Sequence, residues 1–190
     1  MSSILDKSAV RRAALPISVR QYHLLSEAGI IGQPTELLRG VIIERMTKSP
    51  LHTYLVQLLV KWLEAAITTD HHVRKEDPLT LRDSEPEPDV AVVRGTPQHY
   101  RVQHPRTADL VIEVAAGTAA LDRDKADIYA EAGVLEYWIV IPNERLVEIH
   151  RQPSPAGYGI VERLSDPQAS PCPRVLAPQA GVRLASLFDG

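Results

Sequence analysis

Two short apolar runs decide how this chain is read: Pro86-Glu-Pro-Asp89-Val-Ala-Val-Val93 and Asp109-Leu-Val-Ile-Glu113-Val-Ala115. Runs of Val, Ile and Leu this short, bounded by Pro and Gly, predict buried strands. Each carries one carboxylate: Asp89 opens the first strand and Glu113 sits inside the second. A buried carboxylate is costly unless it is paired or bound to a cation. Two on neighbouring strands repel and raise each other's pKa unless a divalent metal lies between them. A helical pattern follows at Leu121 to Ala132, closed by Gly133, with Lys125 in its first turns. Two acids and a lysine around a metal point to metal-assisted hydrolysis.

Outward from this centre, Ser18 and Gln21 form a capping box opening a helix that Gly29 stops. Val19, Tyr22, Leu24, Leu25 and Ala28 give that helix its apolar side. Glu36 to Met46 predicts two short strands about a turn at Arg39-Gly40. After Ser49-Pro50 comes the longest helical pattern, with Leu55, Leu58, Leu59, Trp62, Leu63 and Ala66 on one stripe, ending near Thr69. Val73 and Leu79 to Leu81 predict one or two strands. Glu136 to Ile141 and Arg145 to His150 form a hairpin, and Gly157 to Arg163 a further strand. Residues 1–16, with the pair Arg11-Arg12, form a loose segment, and residues 17–190 a single domain. The order of elements gives a mixed α/β (α+β) class, with helices on a sheet. No glycine-rich phosphate loop follows a strand, so dinucleotide and Walker sites have no support.

The chain has 190 residues, 44% apolar and 24% charged, which suits one globular core. No apolar run is long enough for a membrane span, and the N-terminus lacks the apolar core of a signal peptide. The single cysteine, Cys172, has no partner for a disulfide or metal knuckle, and a reduced, cytoplasmic setting is expected. The net charge of −3 argues against a nucleic-acid coat. It is compatible with an acidic catalytic site that meets DNA over a small basic patch.

Several motifs occur in order: Glu36-Leu-(x)2-Gly40, Ser49-Pro-x-His52, Glu87-Pro-Asp89, Val111-Ile-Glu113-Val and Asp122-x-x-Lys125-(x)3-Tyr129-(x)3-Gly133-Val-x-Glu136-Tyr-Trp138. This succession, over residues 17–152, resembles the Uma-type putative restriction endonuclease family of the PD-(D/E)XK nuclease superfamily. The resemblance implies a restriction-endonuclease-like core, a mixed central β-sheet flanked by helices, with a Mg²⁺ site (Mn²⁺ as substitute) at the sheet edge. It implies a metal-dependent endonuclease acting on nucleic acid, DNA foremost, and a homodimer, since two strands need two sites.

Carried over by position, Asp89 and Glu113 are the metal ligands, Lys125 the catalytic cation and Glu36 a further acid. The superfamily often places its lysine two residues after the second acid. That position is Ala115 here, and the lysine moves to the helix. The loop Ala115-Ala-Gly-Thr118 departs from the serine-containing loop of relatives. His52 either caps and packs or contacts substrate. Tyr129, on the helix face of Lys125, is a core or rim residue or a substrate contact. Arg101 and Arg106, in the basic 95–108 loop, are candidates for the phosphate backbone. The alternative from another class is a catalytically inactive nuclease-fold module for binding or assembly.

Overall fold

The computed structural model describes Ala9 and residues 13–31 and 34–189. Most of the expected loose segment, Arg11-Arg12 included, and Gly32 of the following connector lie outside the described residues.

Helix α1 (Val19–Glu27) opens with the expected capping box: the Gln21 amide donates to Ser18 Oγ, and the Gln21 side chain accepts from the Ser18 amide. Its apolar side is less buried than expected. Only Tyr22 is buried, while Leu24 stays 54% exposed, because the helix is fastened chiefly through Tyr22, whose hydroxyl donates to the Thr35 carbonyl. Strands β1 (Thr35–Leu38) and β2 (Val41–Glu44) pair antiparallel about Arg39-Gly40. Gly40 has φ +76°, and a Cβ there would lie 2.4 Å from Pro16 Cβ, so both conformation and space demand glycine.

Helix α2 (Pro50–Ala66) has Ser49 as N-cap and Pro50 in the first turn, where a missing N–H does no harm. It ends three residues before Thr69, as Ile67 turns extended and leads into the β-branched pair Thr68-Thr69. A six-stranded sheet follows in the order β3 (His71–Lys75), β4 (Val90–Arg94), β5 (Leu110–Val114), β6 (Glu136–Ile141), β7 (Leu146–Ser154) and β8 (Gly157–Leu164). All pairs are antiparallel except β5–β6, which are parallel and joined by helix α3 (Ala119–Glu131). Helix α4 (Leu184–Phe188) closes the chain. Leu79 to Leu81 is not a strand. Prolines 78, 86 and 88 remove ladder donors, and this stretch instead bonds as a loop, Leu79 N–H to Pro86 O and Leu81 N–H to Ser84 O.

Alternation along the strands builds a core on each face. Val90, Val92, Leu110, Ile112 and Val114 pack with Leu55, Val56, Leu59 and Leu63 of α2. Ala91, Val93, Val111, Tyr137 and Ile139 pack with Ala126, Ile128 and Tyr129 of α3. The period of two therefore puts Glu113, with Val111, on the α3 face. Every residue of β5 and β6 is buried, as parallel strands covered on both faces require. Among the described residues, no helix is long and apolar enough to cross a membrane.

Candidate active site

Three connections bring the acids together. The Glu76 amide donates to the Asp89 carbonyl just before β4. Leu37 and Glu85 exchange backbone hydrogen bonds of 3.2 and 2.7 Å, which lays the β1 hairpin beside residues 85–87. The parallel crossover then returns α3 over the C-terminal end of β5.

At that end, Asp89 and Glu113 interlock through the backbone. The Asp89 amide donates to Glu113 Oε2 at 3.2 Å, and the Val114 amide donates to Asp89 Oδ2 at 2.7 Å. Lys125 reaches in from α3, its Nζ lying 2.9 Å from Glu36 Oε1, 3.2 Å from Glu113 Oε1 and 3.7 Å from Asp122 Oδ1. Tyr129 donates to the same Glu113 Oε1 at 3.0 Å, and His52 Nε2 lies 3.0 Å from Asp89 Oδ1. Asp89, Glu113, Lys125, Glu36 and Asp122 are all buried, yet apart from Tyr129 the group lines one cavity of about 110 Å³ with His52.

Three buried carboxylates thus share one ammonium, and a fourth, Asp89, adjoins them beside Glu113. Burial first, then Asp89, Asp122 and Glu36, push Glu113 up to about 8, against the opposing pull of Lys125. Asp122 is raised by burial too, although Lys125 and the Thr118 hydroxyl oppose the shift. Burial alone would lower Lys125, but Glu113, Glu36 and Asp122 outweigh it and hold its pKa above the ordinary lysine value. Lys125 therefore stays protonated. The burden falls on Glu113, where burial and three neighbouring acids together outweigh one cation.

The donor set fits a hard divalent cation. Asp89 and Glu113 offer only oxygens, and each keeps lone pairs beyond the hydrogen bonds it accepts. Among the described residues, no three His, Cys, Asp or Glu side chains are already gathered around one metal position. Two carboxylates with water completing the shell is the pattern Mg²⁺ commonly takes.

Of the residues singled out in the sequence, Asp89, Glu113, Lys125, Glu36, His52 and Tyr129 come together. Arg101 and Arg106 do not: both are exposed, neither lines this cavity, and Arg106 borders a separate one beside His104 and Pro105. Ala115 packs into the α3-side core. In the divergent loop, Thr118 lines the cavity and donates to Asp122 Oδ2 at 2.5 Å. Asp122 lies on one helical stripe with Lys125 and Tyr129, spaced at i, i+3 and i+7, and stands in the quoted motif, but nothing in the sequence separates a site acid there from a charge that neutralises Lys125 on a solvated face. Arg45 and Lys48, which also line the cavity, carried no signal in the sequence, and Glu87, present in the Glu87-Pro-Asp89 motif, was given no role there.

A family model described as "Uma2: Putative restriction endonuclease" matches residues 21–185. No curated protein matches the chain. Among solved structures, a putative nuclease belonging to DUF820 from Anabaena variabilis ATCC 29413 superposes with a TM-score of 0.75 at 18% sequence identity. The match covers 92% of this chain and 98% of that one. At that identity the likeness speaks for a shared fold.

Proposed function

The chain belongs to the Uma2 family of putative restriction endonucleases, and on that premise we propose that it is a divalent-metal-dependent endonuclease with DNA as its substrate. The observation that carries this is a set of four buried carboxylates, three of them on a single lysine, opening on one cavity at the end of β5. A purely structural cluster gains little from so uneven a charge balance, whereas a site that takes up a cation and a phosphate needs it.

Asp89 and Glu113 would hold Mg²⁺ or Mn²⁺, which when bound polarises the phosphate and acidifies its water. The remaining work belongs to the chain. Lys125, kept protonated by its acids, is a donor: it positions the attacking water and offsets the charge developing on the phosphorus centre. Water adds to phosphorus as the bond to the 3′-oxygen breaks; the water gives up its proton to solvent and the departing oxygen takes one up, leaving a 3′-hydroxyl and a 5′-phosphate. Glu36 holds Lys125 in place, Tyr129 orients Glu113, and His52 orients Asp89. The ammonium reaches Glu113 from α3, so Ala115 at the usual lysine position does not leave the site without its cation.

The test is cleavage of supercoiled plasmid and single-stranded DNA with Mg²⁺, Mn²⁺ or EDTA. Asp89→Asn keeps an oxygen for the Val114 amide and removes the charge, so it should fold and fail to cut. Metal-dependent cleavage lost in Asp89→Asn and Lys125→Ala supports the reading. Full activity in Asp89→Asn would sink it. Absence of both cleavage and metal binding in the unaltered protein would favour the inactive module.

A further inference from the structure

Among the described residues, two lysine or arginine side chains besides Lys125 line the cavity, and both lie on the segment joining β2 to α2: Arg45 and Lys48. Neither belongs to the buried acid cluster. Arg45 pairs with Glu87, and Lys48 Nζ lies 2.8 Å from Glu76 Oε2. Their side chains are 17% and 34% exposed, so they stand at the mouth rather than the floor. Glu76 has a left-handed backbone, φ 55°, and its amide bonds the Asp89 carbonyl, which places residue 76 beside the start of β4. A phosphodiester entering here meets six lining carboxylates. Lys125 is committed to three of them, so the approach of an anion depends on the two cations at the mouth.

We propose that Arg45 and Lys48 receive the phosphates flanking the scissile bond, exchanging Glu87 and Glu76 for the substrate backbone. The inference rests on the nuclease reading above and names the contacts that reading lacked. Partly exposed ion pairs contribute little, so they open readily. The planar fork of Arg45 matches phosphate oxygens in pairs, and the Lys48 ammonium acts as a point charge. These residues take the role that the sequence alone assigned to Arg101 and Arg106.

The experiment is fluorescence anisotropy with labelled single- and double-stranded DNA across a salt series, with Ca²⁺ as the divalent ion. Arg45→Ala and Lys48→Ala should each weaken binding about tenfold and flatten the slope of log affinity against log salt by about 1. Arg45→Lys should keep the slope and lose affinity, which separates the contact from any misfolding. Glu87→Gln releases Arg45 and should tighten binding, and that gain should vanish in the Arg45→Ala background. Unchanged slopes, or a Glu87→Gln gain that persists without Arg45, would overturn the contact alone. No binding of DNA by the unaltered protein would overturn the nuclease reading, and the contact with it.

Discussion

Tyr129 donates its hydroxyl to Oε1 of Glu113 at 3.0 Å, its own side chain fully buried behind a carboxylate that faces the cavity. Burial and the neighbouring Glu113 charge hold the phenol well above its ordinary pKa, so it stays a donor. Tyr129→Phe keeps the ring against Tyr137, whose centroid is 4.8 Å away, and removes only the donor. The variant should lose about 1–3 kcal/mol, since a buried acceptor goes short. Mn²⁺ affinity should fall roughly 10–100-fold, as when other outer supports of metal ligands are removed. Urea melts and Mn²⁺ titration by electron paramagnetic resonance read the two effects. An unchanged Mn²⁺ affinity would make Tyr129 a packing residue alone.

Lys125 is a heavier loss. Among the described residues, Lys125→Met strips Glu36, Glu113 and Asp122 of the ammonium they share and leaves three buried acids without it. Breaking a buried pair from one side typically costs about 3–5 kcal/mol. For a chain of this size that lowers Tm by roughly 6–20 °C. Because the deficit is positive charge, added Mg²⁺ should return more stability to this variant than to the unaltered protein. Thermal melts with Mg²⁺ and with EDTA check both statements. Equal Mg²⁺ responses would mean that Asp89 and Glu113 bind the ion independently of Lys125.

The strands were legible because Val-, Ile- and Leu-rich runs bounded by Pro and Gly leave little else for β4, β5 and β6 to be. The α1 capping box and the Arg39-Gly40 turn are local chemistry and came out as read. Leu79 to Leu81 misled because burial, not pairing, put leucines there, and a loop can bury apolar side chains when its amides find carbonyls such as Pro86 and Ser84. Asp89, Glu113 and Lys125 stood out as charges inside apolar or helical patterns. Arg45 and Lys48 could not stand out. They sit in an irregular polar stretch, and only the antiparallel return of β2 toward residues 76–89 brings them to the cavity.

Glu113 makes the metal-free protein sensitive to pH in a definite direction. Its carboxyl is pushed from 4.5 up to about 8, by burial first and then by Asp89, Asp122 and Glu36. The unfolded chain releases this proton near 4.5, while the folded chain keeps it until near 8. Between the two values the folded state binds more protons, so stability is full below about 4.5 and declines as pH rises toward 8. The slope is at most about 1.4 kcal/mol per pH unit. A bound divalent cation reverses the preference, since it needs Glu113 ionised and releases the proton on binding. Urea midpoints in EDTA should therefore fall between about pH 5 and pH 8, and the midpoint gained from Mg²⁺ should widen over the same interval. In Glu113→Gln both trends should flatten. A midpoint in EDTA that holds level across that interval would mean that Lys125 alone keeps Glu113 ionised, and the charge deficit that calls for a metal would then not exist.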